Sequence, residues 1–272
     1  MQLLKCSTLK KYNQWVLDIH SGTYRPFLTV RAVNKFGRRH WIWCDKQQRE
    51  VHLLSDAERR AYEIMISRPT TVEVKEQYAL DFSETLSIAN ELGYVHPRNY
   101  KTKQIIVMTT DFITVSQSLV NQKLLLKAKA YTFKYSSDLY TDKSCSAFLP
   151  SATRTIQKLE IEQEYWNRRG IEYRVITELH ATKERAWNIQ FCKNSFKGVA
   201  DKSLAMEFPS VFYDIWEKNR YAHLSDLFIQ SATILAIGQD DAEQLFCFCV
   251  LHDLVKLVHS SKLQKYRPIE LE

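Results

Sequence analysis

Asp111 interrupts the apolar run IIVMTTDFITV, and Lys127 and Lys129 interrupt LLLKAKAYTF in the next strand-like segment. Side chains alternate along a strand, so the two lysines share a face and Ala128 takes the other. If the two runs are neighbouring strands, Asp111 can lie beside the lysines. An acid on one strand and a lysine on the next is the core of a metal-dependent phosphodiester cleavage site. The carboxylate holds Mg2+, a backbone carbonyl can complete the inner shell, and the lysine stabilises phosphate charge or orients attacking water. The same residues also fit a plain cross-strand Asp111–Lys129 ion pair, or simple exposure to solvent.

Glu58 precedes these strands, where a second metal carboxylate would stand. It also lies three residues after Ser55, the spacing of a capping box, in which its carboxylate folds back onto a backbone amide. The two readings compete for one side chain.

The elements that must position these residues follow from pattern. Residues 26–33 (PFLTVRAV) read as a strand, Asn34 to Gly37 as a turn and His40 to Cys44 as the returning strand, with Trp41 and Trp43 on one core-facing side. A helix begins near residue 56. A strand is expected at 71–78 and a helix at 83–92, ended by Gly93. Gln104 to Val115 and Lys123 to Tyr135 form a second hairpin about Asn121. Residues 136–151 read as a loop, 152–169 as a helix closed by Gly170, and 171–177 as a strand, which together make a mixed α/β architecture. Tyr165 and Trp166 are expected in the core, and Glu162 as an exposed helix carboxylate paired with Lys158. Beyond residue 178 the strand signal fades, and 203–217, 224–236 and 240–258 read as helices with an apolar stripe that is expected to be core.

The 272 residues carry a formal net charge of +7, with 45% hydrophobic and 25% charged residues, ordinary globular values. Residues 1–179 hold 27 Lys/Arg against 19 Asp/Glu, whereas 180–272 hold 11 against 12. A basic first part suits a phosphate-rich partner and a near-neutral second part a protein. The longest apolar run, Leu245 to Leu251, is far too short to span a membrane. The opening MQLLKCSTLKK has too short an apolar stretch for a secretory signal, so a cytoplasmic protein with reduced thiols is expected. The six cysteines show no zinc-ligand spacing. Cys247 and Cys249 are expected in the core.

The segments YRPFLTVRAV (24–33), HLLSDAE (52–58), TTDF (109–112), LLKAKA (125–130), and KLEIEQEYW (158–166) followed by GIEYRVIT resemble the TnsA family, the endonuclease subunits of heteromeric cut-and-paste transposases. The resemblance runs in order over about residues 24–178. It implies a restriction-endonuclease-like mixed-sheet catalytic domain over 1–178 and a smaller, mainly helical, winged-helix-like domain for protein interaction over 179–272. It implies Mg2+-dependent cutting at the 5′ ends of a mobile element, with Mn2+ as a substitute ion. Implied partners are double-stranded DNA at the transposon ends, a DDE-type transposase subunit for the 3′ ends, and an ATP-using regulator met by the C-terminal domain. The setting is the bacterial cytoplasm.

Carried over by position, Glu58 and Asp111 are metal ligands together with the Ala128 carbonyl, and Lys129 is the catalytic lysine. Lys127 departs from the family, which commonly has Gln or an acid two residues before that lysine. Like charges about 6 Å apart repel by a few kcal/mol at an effective dielectric near 20. Lys127 therefore either grips a DNA phosphate or weakens the site. Lys101 and Lys103 are further candidate DNA contacts, or edge lysines that deter aggregation. The rival function is a non-catalytic DNA-binding or assembly subunit, and loss of cleavage without loss of assembly on Asp111→Ala separates the two.

Overall fold

The computed structural model describes residues 4–33, 37–121, 123–142, 144–145, 147–196 and 201–272. Residues 34–36 of the first expected turn lie outside them. The chain divides into two compact units, one of Met1–Tyr62 with Thr70–His180, the other of Glu63–Pro69 with Ala181–Glu272.

In the first unit, β3 (Thr71–Ala79), β4 (Thr109–Val120), β5 (Lys123–Phe133) and β6 (Glu172–Ile176) form a mixed sheet in that order, antiparallel except for the parallel pair β5–β6. That is a restriction-endonuclease-like arrangement. The helix α4 (Thr153–Asn167) and two short 3-10 turns connect β5 to β6, since parallel neighbours need a long crossover. Together with α3 (Phe82–Glu91), α4 lies on one face of the sheet. Ile88, Ala89, Ile161, Tyr165 and Trp166 pack there against Ile113 and Ala130. Gly93 and Gly170, at φ +72° and +64°, take the left-handed conformation just past these two helices.

Two features depart from the sequence reading. A helix, α1 (Cys6–His20), stands where no element was expected, and it packs Tyr12 and Trp15 against Phe27, Ile105 and Val107. The first hairpin pairs β1 (His40–Cys44) with β2 (Arg49–Leu53), not with residues 26–33, which form turns and bends. The pairing sets Ile42 opposite the fully buried Val51 and His40 opposite the fully buried Leu53. The alternate positions, Trp41 and Trp43, therefore face outward, 44% and 56% exposed, contrary to the expected core role. Trp41 is covered in part by the His52 ring and the Arg31 guanidinium.

Arg49 anchors this hairpin to β3. Its guanidinium makes a two-pronged bond to the fully buried Glu76 carboxylate at 2.7 and 2.9 Å, and the His52 amide donates to the same group at 3.1 Å.

The second unit is helical: α5 (Lys183–Ser195), α6 (Lys202–Lys218), α7 (Leu224–Leu235) and α8 (Gln239–Leu251). The described residues contain no strand there, so the wing of a winged helix is not formed among them; a single bridge joins Leu257 to Leu271. Phe208, Phe212, Phe228 and Phe246 fill the core, with Cys247 and Cys249 buried beside them. Pro209 inside α6 has no N–H for the Ala205 carbonyl four residues back, and the Cys249 thiol donates to that carbonyl instead at 3.6 Å.

Removing Arg49 as Arg49→Met leaves the Glu76 carboxylate buried and unpaired, at a cost of about 3–5 kcal/mol. Urea unfolding should show a clearly lower midpoint with unchanged slope. Glu172→Ala, which cuts a surface pair with Lys129, should leave the midpoint nearly where it was.

Candidate active site

The site is set by where one ladder stops. Pairing between β4 and β5 runs from Val120 opposite Lys123 to Phe112 opposite Tyr131, and no further. The Lys134 amide points toward β6 and donates to the Ile176 carbonyl at 3.0 Å. Successive amides along a strand point to opposite sides, so the Phe133 N–H and C=O face β4, where the ladder has ended. The Asp111 carboxylate meets that N–H at 2.8 Å.

Two more side chains converge on Asp111. The Lys134 ammonium lies 4.0 Å from Asp111 Oδ2 and donates to the Phe133 carbonyl at 2.9 Å. Gln77 Nε2 donates to Asp111 Oδ1 at 3.3 Å and to Glu58 Oε2 at 3.2 Å. Carboxylates only accept, so this contact fixes which end of the amide faces them, and Gln77 Oε1 takes the Thr109 hydroxyl at 3.4 Å.

Glu58 lies on α2 (Asp56–Ser67), where the capping-box reading of it holds. Its amide donates to Ser55 Oγ at 3.1 Å, and its own carboxylate accepts from Ser55 Oγ and from the Leu54 amide, 3.2 and 2.9 Å away. The cap aims the carboxylate toward Gln77 and Asp111. Desolvation, with the Asp111 charge adding to it, pushes Glu58 up to about 7.

Glu162 is not the expected exposed carboxylate. It is buried between α4 and the sheet, where it accepts from the Thr132 and Thr110 hydroxyls at 2.7 and 3.2 Å and from the Tyr173 hydroxyl at 3.3 Å. The Trp166 indole donates to Thr110 Oγ1 at 2.9 Å and closes the network. Desolvation pushes Glu162 up to about 7 as well, and the Lys134 charge opposes it.

The structure does not bring Lys129 or Ala128 to Asp111. Lys129 stands opposite Thr114 and Ala128 opposite Val115, three and four pairs along from the Asp111 level. At about 3.3 Å per residue that is roughly 10 and 13 Å away along the strand. The Lys129 ammonium is bound at 2.8 Å to Glu172. Lys127, opposite Ser116, is farther still and exposed, so its charge does not bear on the Asp111 carboxylate in the way the sequence reading supposed. Lys101 and Lys103 are exposed in the turn closed by the Arg98–Ile105 bridge. The residues missed were Lys134, Phe133 and Gln77. A tight turn at Asn121 was the signal, because counting back from it pairs Asp111 with residue 132.

Residues 68–178 match the TnsA-like endonuclease N-terminal domain. The transposon Tn7 transposition protein TnsA of Escherichia coli is 30% identical over 159 residues, 58% of this chain. The chain covers 52% of that relative, about half its length. Gln77, Asp111, Phe133, Lys134 and Glu162 all fall within the TnsA-like segment, and Glu58 lies just before it.

Among the described residues no three His, Cys, Asp or Glu side chains group as a metal site. The oxygen donors of the candidate site are two carboxylates, Glu58 and Asp111, and the Phe133 carbonyl. Hard oxygen donors in that number suit Mg2+, which binds few protein groups and keeps several waters.

The two raised carboxylates contribute to the pH dependence of the fold. From the ordinary 4.5 up to about 7, the native state holds protons that the unfolded chain has lost. Their contribution to stability in EDTA should therefore be greatest at low pH within this window and fall as pH rises from about 4.5 to about 7, while His52, His96 and His259, lowered by burial, pull the other way. Glu162→Gln should flatten that decline, measured as urea midpoints at pH 5 and pH 7.5.

Proposed function

We propose that this protein is a Mg2+-dependent DNA endonuclease subunit of a transposase, and that Glu58, Asp111, the Phe133 carbonyl and Lys134 form its active site. The observation that carries this reading is a chain of contacts in which Gln77 joins the Glu58 and Asp111 carboxylates, and Lys134 lies 4.0 Å from Asp111 while it bonds the strand-end Phe133 carbonyl. Bound Mg2+ supplies Lewis acidity toward a phosphodiester. The chain's own work is to hold that ion between Glu58, Asp111 and the Phe133 carbonyl. Lys134 reaches the phosphate, where its charge offsets the negative charge that builds up during cleavage. Glu162 lies behind the sheet and lends Lys134 a partner, and the three hydroxyls that donate to Glu162 hold it there.

The wider reading rests on family resemblance and on charge. The substrate is duplex DNA at the ends of a mobile element, cut on the 5′ side, while a DDE-type transposase subunit handles the 3′ side. The excess of basic residues in the first 179 positions suits DNA, and Lys101, Lys103 and Lys127 are exposed candidates for phosphate contact. The helical second unit is the proposed seat of contacts with an ATP-using regulator. The work takes place in the bacterial cytoplasm.

Cleavage should be measured on duplex DNA carrying an element end, with the partner transposase present and Mg2+ or Mn2+ added. Asp111→Ala and Lys134→Met should each lower 5′ cleavage by about 100-fold or more, the scale for losing a main electrostatic group. Lys129→Met should cleave within about threefold of the parent. Unimpaired cutting by Asp111→Ala would favour a non-catalytic assembly subunit. Strong loss in Lys129→Met with activity kept in Lys134→Met would return the catalytic role to the residue the sequence first suggested.

A further inference from the structure

Gln77 is a residue the cleavage reaction does not call for, yet it sits at the centre of the site. It is 2% exposed and adopts φ +53°, the left-handed region, in the middle of β3, where no glycine relieves the cost. Its neighbours fix that conformation. The Phe27 amide donates to its carbonyl at 3.0 Å, and Glu76 and Tyr78 on either side keep regular pairing with β4. The kink delivers the side-chain amide between the two carboxylates. One nitrogen then gives both of its hydrogens, one to Glu58 at 3.2 Å and one to Asp111 at 3.3 Å.

Resting on the metal-dependent reading above, we propose that Gln77 is a latch: its amide occupies the cation position in the metal-free enzyme and must withdraw before both carboxylates can hold an ion. The geometry argues for competition. Mg2+ needs its oxygens at about 2.0–2.1 Å, whereas the amide nitrogen stands more than an ångström farther from each. While it is in place, the carboxylates are held at the spacing of two hydrogen bonds and not at that of one shared ion. Its NH2 donors do for the carboxylates what a cation would do, more weakly, and they stabilise the empty site. By linkage, a contact made only in the empty state strengthens that state against metal binding by the same factor. Gln77 is thus a positioning residue that sets metal affinity, and it touches neither substrate nor reacting atoms.

The test uses the full chain and Mn2+ as the probe. Mn2+ affinity is measured by titration calorimetry for the parent, Gln77→Met, which keeps the volume, and Gln77→Gly, which suits φ +53°. The latch predicts Mn2+ binding about tenfold tighter in both variants, a change of about 1.4 kcal/mol. It also predicts a lower melting temperature in EDTA and a larger gain on adding Mn2+. On the parent chain, the Gln77 side-chain NH2 resonances should shift toward those of a free amide on saturation with diamagnetic Mg2+, a readout that needs no variant. Equal or weaker Mn2+ binding in both variants overturns the latch, weaker binding meaning that Gln77 turns its oxygen to the ion as a ligand. Unmoved NH2 resonances overturn it too. If Asp111→Ala abolishes Mn2+ binding while the Gln77 variants match the parent, the latch alone fails. If the parent binds no Mn2+ at all, the metal-dependent reading falls with it.

Discussion

The register between β4 and β5 governs the rest of the site. Val120 pairs with Lys123 across the turn at Asn121, and each later pair follows by counting. Where that ladder stops, at Phe112 opposite Tyr131, a backbone amide and carbonyl are left facing the neighbouring strand. Unpaired backbone groups away from water are costly, so something must meet them. Asp111 takes the Phe133 N–H and Lys134 takes its carbonyl. Asp111 and the candidate lysine are thereby tied to the backbone of one residue, Phe133. Their separation depends on strand geometry and not on the choice of long, flexible side chains.

That arrangement concentrates negative charge. Asp111 lies close enough to influence both Glu58 and Glu162, and Glu58 and Glu162 are both pushed up to about 7 by loss of solvent. Without a metal the site has three ways to limit repulsion, and it uses all of them. Lys134 supplies a positive charge near Asp111 and Glu162. Gln77 bridges Asp111 and Glu58 with neutral donors. Glu162 is surrounded by hydroxyls, which serve a protonated or an ionised carboxyl equally well. The Ser55 cap belongs to the same economy, since it holds the Glu58 carboxylate by the helix N-terminus, where negative charge is favoured.

Much of this was legible from the residues. The α/β order, the helices ended by Gly93 and Gly170, the capping box at Ser55 and the turn at Asn121 are local signals, and each appears where the pattern put it. Glu58 and Asp111 stood out as candidates because a carboxylate in a strand run or at a cap is visible in a single segment. The expected placement of Lys129 beside Asp111 was not met because it depends on pairing, which no single strand encodes. Three lysines, at 127, 129 and 134, stand on or just past one strand, and alternation alone cannot say which reaches Asp111. The exposed tryptophans failed for a related reason: two aromatic residues on one face show that a face exists, and only the partner strand shows which face is covered. Glu162 was taken as a surface residue because its i,i+4 spacing to Lys158 is what a solvent face would show, while the hydroxyls that satisfy it come from three distant strand positions.

The missed residues share a character that explains the miss. Phe133 contributes backbone atoms, which no residue type announces. Gln77 contributes an amide at a strained φ, and glutamine in a strand carries no chemical flag. What the sequence displays readily is charge, because ionisable groups in apolar runs stand out. What it conceals is the neutral scaffold that sets distances between charges. Here the scaffold sets the surroundings: the same Asp111 with Lys129 as neighbour would be an ordinary ion pair, whereas its neighbours are Phe133, Lys134 and Gln77. The functional content therefore lies in the turn count and the ladder's end as much as in the acidic and basic residues themselves.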